Sequence, residues 1–251
     1  MMRAIWNIIL PTESSDSDGF PPFTGGGRTR ALTIVRRAQV RGMKLSVDPR
    51  DATVRLTLGK RAPLKPALGW AAEKRDWVEA ELARLPQPHP ILPNSQFALG
   101  DDRVRVDWNA AYPRRIVLAN GVLRVGGPCD GLSLRVLRFL RAHSLSVLTA
   151  ETRALAQNHG IGVGAIGVGD PKGRWGSCAS SGDIRYSWRL ILAPAHVRQA
   201  TVAHEVAHRV HMNHGAEFHG LVAELNGSDP GPARRWLRAH GTALHWFGRD
   251  R

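Results

Sequence analysis

Two cysteines in 251 residues, Cys129 and Cys178, are too few for a disulfide framework. That excludes the small, stapled scaffolds of secreted proteins. No apolar run approaches the roughly 18 residues of a membrane span, so no transmembrane helix is expected. The opening MMRAIWNIILP has one Arg, a short apolar run and no small-residue cleavage site, and does not read as a secretory signal. These absences point to a cytoplasmic protein without membrane contact. Lysine is also scarce: only five of the 35 basic residues are Lys, and with 21 acidic residues the formal net charge is +14. Such a surplus attracts polyanions without naming one. The Arg residues are spread along the chain, and Arg-over-Lys bias with abundant Ala and Gly is also what GC-rich coding produces. The expectation from charge is therefore non-specific contact with nucleic acid through a basic surface. At 43% hydrophobic residues the composition is that of an ordinary globule.

What is present is concentrated in AHEVAHRVHMNHGAEFHG, residues 203–220. On an α-helix His204 and His208 lie about 40° apart around the axis and one turn apart along it, so both imidazoles reach one metal ion. Glu205, about 100° around from His204, is placed to take a proton from an attacking water without being a ligand. A catalytic zinc needs a third protein ligand and an open position. His211 shares the face of His204, but an unbroken helix separates them by roughly 10 Å, too far for one ion. His214 is better placed if Asn213 stops the helix in a left-handed conformation and Gly215 reverses the chain. The ligand set predicted from spacing is His204, His208 and His214, with Glu217 and Glu224 as alternative third ligands.

Along the rest of the chain, residues 1–28 read as a flexible tail rich in Ser, Asp, Gly and Pro. LTIVRR, MKLSVDP and ATVRLTL predict an antiparallel meander over 32–58. A helix follows over 68–85, with Trp70, Trp77, Leu82 and Leu85 as its apolar stripe. Short strands FALG, RVRVDW and RIVLANGVLRV come next, the last a hairpin turning at Asn120-Gly121. GGPCD marks a joint near residue 130. The run 132–159 predicts a helix burying Leu134, Leu137, Leu140, Leu145 and Leu148. IGVGAIGVG, RWGSC and DIRYSWRLILAP read as strands leading into the metal-bearing helix, which begins near Pro194. Helices over about 215–226 and 233–246 complete the chain. The fold class expected is α+β, a catalytic core over 131–247 preceded by an antiparallel β-rich lobe over 29–130.

Four motifs fall in a particular order: Arg174–Cys178 (RWGSC), Leu190–Pro194 (LILAP), His204–His208 (HEVAH) and Asn213–Phe218 (NHGAEF). In this the chain resembles the YgjP-like metallopeptidase family, a relative of the SprT-like proteases. The likeness is strongest over about 170–225 and extends over 29–247. It implies a zincin-like core with Zn2+ held by His204, His208 and His214, and Glu205 as general base. His219 departs from the aromatic Trp that commonly follows the Phe, and packing is the role expected of it.

The activity expected is zinc-dependent hydrolysis of a peptide bond in a peptide or protein substrate. Arg174, Arg189, Tyr186 and His211 are candidates to stabilise the oxyanion. Two alternatives keep the metal. One is hydrolysis of a nucleotide phosphoanhydride, for which no phosphate-binding motif is present. The other is a structural zinc in a protein that binds nucleic acid, for which Glu205 would have no use.

Overall fold

Alternating apolar residues in Leu32–Arg37 and Val54–Gly59 put Leu32, Ile34, Val54, Leu56 and Leu58 on buried faces, and both segments are strands. The computed structural model describes residues 19–249 of the chain. These divide into two compact units at Pro86/Gln87. The first begins with the hairpin β1 (Phe23–Gly25) and β2 (Arg28–Arg30), followed by β3 (Leu32–Arg37), β4 (Lys44–Val47) and β5 (Val54–Gly59). Helices α1 (Leu64–Glu73) and α2 (Arg75–Arg84) complete it.

The tail expected over 1–28 lies outside the described residues for its first 18 positions. Within them it needs correcting, because β1 is anchored. Phe23 is fully buried, Arg75 donates to the carbonyls of Pro21 and Pro22, and the Thr24 amide donates to Glu79. The antiparallel meander is also corrected. β5 occupies the middle of the sheet, parallel to β3 and antiparallel to β4, giving the order β3-β5-β4. Period-two alternation specifies which face of a strand is buried but is silent on which neighbour it pairs with. The helix expected over 68–85 is two helices meeting at Lys74, and they bury Ala67, Ala71, Val78 and Leu82. Trp77 is 45% exposed.

The second unit opens with β6 (Gln96–Leu99), β7 (Asp102–Trp108), β8 (Val117–Ala119) and β9 (Val122–Val125). Asn120 and Gly121 both have positive φ, 49° and 70°, as the tight turn between β8 and β9 requires. The order β6-β7-β9-β8 repeats the first unit's arrangement: β7 and β9 are parallel neighbours and β8 lies at the edge. Residues 126–130 form the loop from β9 to the helix α3 (Leu132–Asn158), inside this unit. Next come β10 (Ile166–Gly169), β11 (Gly176–Cys178) and β12 (Ile184–Ser187). Their order β10-β12-β11 is the same device a third time. The segment expected to continue as a strand instead coils into a 3₁₀ turn over Trp188–Leu192. Helices α4 (Ala195–Ala207), α5 (Ala216–Asn226) and α6 (Gly231–Leu244) follow.

α3, 27 residues and so about 40 Å long, is the spine of this unit. Its first half packs Leu132, Val136 and Leu140 onto the inner face of the β6–β9 sheet, against Phe97, Val106 and Leu123. Its second half puts Leu148 and Ala156 into a separate core with Ile184 and Tyr186 of β12 and Val202 and Val206 of α4. Leu134 and Leu145, expected inside, are exposed. The buried face runs Leu132, Val136, Leu140, Ser144, Leu148, Thr152, Ala156, a strict four-residue spacing that admits small and polar residues.

Candidate metal centre

Two contacts hold α4 in place. The backbone amide of Ala195, at its first turn, donates to Asp101 Oδ1 in the β6–β7 turn (3.1 Å), setting a carboxylate against the positive end of the helix. Arg198 clasps Glu151 of α3 with Nε and Nη2, at 2.7 to 3.0 Å. The helix thus presents its last turn, carrying His204 and Glu205, at a fixed height above β11 and β12.

α4 ends at Ala207 with His208 as its C-cap, and residues 208–210 form a tight turn. The chain therefore leaves the helix earlier than expected. Among the described residues Asn213 is not one with positive φ, and Gly215 is extended and opens α5, so neither makes the reversal assigned to it. The reversal nonetheless delivers His214 to the other two imidazoles. Ligand atoms of His204, His208 and His214 all lie within 4.8 Å of one another, the single such cluster among the described residues. The Nε2 atoms of His204 and His214 are 3.4 Å apart. His211, Glu217 and Glu224 do not join the cluster.

Each imidazole has a support. His208 Nδ1 donates to the carbonyl of His211 (3.1 Å), which leaves its Nε2 as the free lone pair. His211 thus serves through its backbone. Phe218, fully buried at the start of α5, lies against all three rings, with centroids 4.9, 4.5 and 4.7 Å from His204, His208 and His214. This explains the Phe of the NHGAEF motif: it is the plate on which the histidines are set. Burial pulls the His204 imidazolium down to about 4, with help from His208 and His214, and burial also lowers His208. Both rings are neutral at pH 7, the state that ligates a metal. A cluster of imidazoles with converging nitrogens fits a divalent transition metal.

Glu205 is 4% exposed, and its Oε2 has no hydrogen-bond partner. Burial raises its carboxyl to about 7, with Arg174 opposing the shift. The carboxylate occupies the space above Gly176, where a Cβ would stand 2.4 Å from Glu205 Oε1. The glycine of RWGSC is thus a requirement of the HEVAH glutamate. Spacing alone did not reveal that coupling of two motifs 29 residues apart. Trp175 packs beside His245, with centroids 5.4 Å apart, as its expected structural role implies.

His204 and Glu205 open onto a cleft of about 280 Å³, walled by Trp175, Val222 and Leu237 and edged by Arg174, Arg234 and His219. His219, expected to pack, sets its ring edge-on to Phe218 with centroids 5.4 Å apart, yet is exposed at this edge. Among the oxyanion candidates, Arg189 is buried against Asp170 and the carbonyls of Leu244 and Phe247. Tyr186 is fully buried with its hydroxyl on Thr152, and burial pushes its ionisation up. Only Arg174 of the four lines the cleft. Burial raises the Cys178 thiol despite the opposing charge of Arg209, and Cys178 does not join the histidine cluster.

No helix among the described residues is long and apolar enough to cross a membrane. No curated protein and no solved structure matches the chain. A model of one family does match, described as YgjP-like, metallopeptidase domain, over residues 41–240. That span takes in the glycine-backed glutamate, the three histidines and the phenylalanine behind them. The chain belongs to the YgjP-like metallopeptidases.

Proposed function

We propose that this protein is a zinc-dependent endopeptidase in which His204, His208 and His214 hold the metal and Glu205 is the general base. The observation that carries the reading is one juxtaposition. Three imidazoles offer ligand atoms within 4.8 Å of one another, and one of them, His204, lines a cleft together with Glu205, a buried carboxylate whose Oε2 has no partner. Three nitrogen ligands with an open position suit zinc, which when bound polarises a carbonyl and lowers the pKa of a water toward ~7.

The chain's own residues supply the rest. Glu205, desolvated on α4, is a stronger base than an exposed glutamate; its free Oε2 accepts a proton from water and returns it to the departing amine nitrogen. Arg174 at the cleft edge offers a guanidinium to the oxygen on which charge develops. Trp175, Val222 and Leu237 make an apolar wall for a substrate side chain and keep water from it.

The test pairs metal analysis with hydrolysis of an unstructured protein such as casein. Wild type should carry one equivalent of zinc and cleave. His214→Ala should lose the metal. Glu205→Gln should keep it while the rate falls by about 10²–10⁴. Full activity in Glu205→Gln would sink the assigned role, and one tightly held zinc in His214→Ala would sink the ligand set.

A further inference from the structure

We propose that the first unit carries a binding groove for the phosphate backbone of double-stranded nucleic acid, separate from the metal centre. The overall surplus of basic residues is not evenly spread in space. Between residues 19 and 86 there are fourteen basic and six acidic residues, and no acid occurs in 19–47 or 52–72. The sheet order collects the cations at one end. Arg37 closes β3 opposite Gly59 at the end of β5, Lys44 opens β4 opposite Thr57, and Lys60 and Arg61 follow β5 directly.

Between the loop 38–43 and the segment 59–66 runs an open groove of about 730 Å³, lined by Arg41, Lys60 and Arg61 among Gly, Ala and Pro. All three cations are exposed, as are Arg37, Lys44 and Lys65 beside them, and among the described residues none of the six has an ion-pair partner. The wall is fixed in advance. Arg36 Nη1 donates to the carbonyls of Lys60 and Ala62, at 3.3 and 2.8 Å, and so holds the segment that presents Lys60 and Arg61. Of the unit's six acids, Asp76 lies in the first turn of α2, Glu79 and Glu81 of that helix are paired with Arg75 and Arg84, and the other three lie at the far ends of the elements that leave the groove. Asp48 and Asp51 precede β5, about 17 Å of strand away, and Glu73 ends α1, about 15 Å from its start.

The lining selects among polyanions. It contains no aromatic side chain on which unpaired bases would stack, so it reads phosphates rather than the exposed bases of a single strand. It is concave, with Met43 as its one exposed large apolar residue, and lacks the apolar ridge that enters a lipid surface. Arg41 and Arg61 offer the planar fork that pairs with phosphate oxygens, and the small residues between them let a backbone approach.

The experiment is fluorescence anisotropy of a labelled DNA duplex of about 20 base pairs, titrated with the full chain across a range of salt. The R41Q/K60Q/R61Q variant is compared with a control, R115Q/R138Q/R153Q, that removes three exposed arginines from the second unit. Wild type and control should bind with the same steep loss of affinity on adding salt. In the groove variant the slope of log affinity against log salt should shrink by about 2.7, since each lost phosphate contact removes ~0.9. Its affinity at about 50 mM salt should fall at least tenfold. An unchanged slope, or an equal loss in the control, overturns the groove. Failure of wild type to bind duplex at low salt overturns it too. Tighter binding of a single strand or of anionic vesicles than of duplex overturns the choice of occupant. Should the triple variant lose its folded circular-dichroism signal, Lys60→Gln and Arg61→Gln singly are each expected to lose about 0.9 of slope.

Discussion

At Gly176 the backbone of one motif and the side chain of another compete for the same space. The carboxylate of Glu205 lies where any other residue would carry its Cβ, so the glycine answers to a side chain rather than to a turn. Gly176→Ala should push the carboxylate off its position or force β11 outward, at a cost of about 1–3 kcal/mol. The expected outcome is a folded protein that keeps its metal but loses most of its hydrolytic rate, measured by melting temperature, metal content and casein cleavage together. Activity at the wild-type level with an unchanged melting point would mean that the carboxylate does not need this place. The residue scale also separates the histidines. His204 and Glu205 sit on the last helical turn, where spacing is informative, whereas His214 arrives by a turn that neither Asn213 nor Gly215 makes. Asn213 is not left-handed because the helix has already ended at His208, five residues earlier.

Among the elements, α3 shows the limit of periodicity most clearly. Its leucines at 134, 137, 140, 145 and 148 form one plausible stripe, yet the buried face is the i+4 row through Leu132, Leu140, Leu148 and Ala156. Ser144 sits on that row where the helix passes from one core to the other, and Thr152 sits within the second core, where its hydroxyl bonds that of Tyr186. Leu140→Ala should cost about 2–5 kcal/mol, whereas Leu134→Ala, at a position 59% exposed, should stay within about 0.5 kcal/mol of wild type. Urea denaturation of the two variants side by side measures the difference; equal costs would contradict the observed face. The strands carry the same lesson. Three times a strand pairs in parallel with the one two places later, while the intervening strand lies at the edge. Alternating sequence is compatible with that order and with a meander alike, because the face is local information and the neighbour is not.

For the whole molecule the dominant electrostatic fact is the +14 charge, which grows as carboxylates protonate. Asp170 is the carboxylate to watch. Burial would raise its pKa, but the hydrogen bonds and charge of Arg189 outweigh burial and hold it below the usual range. Its contribution to stability is therefore complete above the unfolded value near ~3.9 and is lost as pH falls through the lower folded value. Melting temperature should drop below about pH 4, partly restored by salt that screens the self-repulsion. Asp170→Asn should be less stable than wild type at neutral pH and converge with it in acid. Parallel curves for the two proteins would show that another group sets the acid limb.

The sequence by itself determined which histidines gather and which family the chain belongs to. HEVAH with a histidine six residues beyond its second His names the cluster, and four ordered motifs name the family, because helical spacing and motif order are local properties. The positions of most helices and of the Asn120-Gly121 hairpin were legible for the same reason. Only the tertiary structure decided the strand order, the face of α3, the glycine beneath Glu205, the phenylalanine behind the histidines and the end of the sheet where the basic residues gather. Each of those depends on which segments meet across tens of residues, and chain entropy leaves that open until burial of the two cores selects one arrangement.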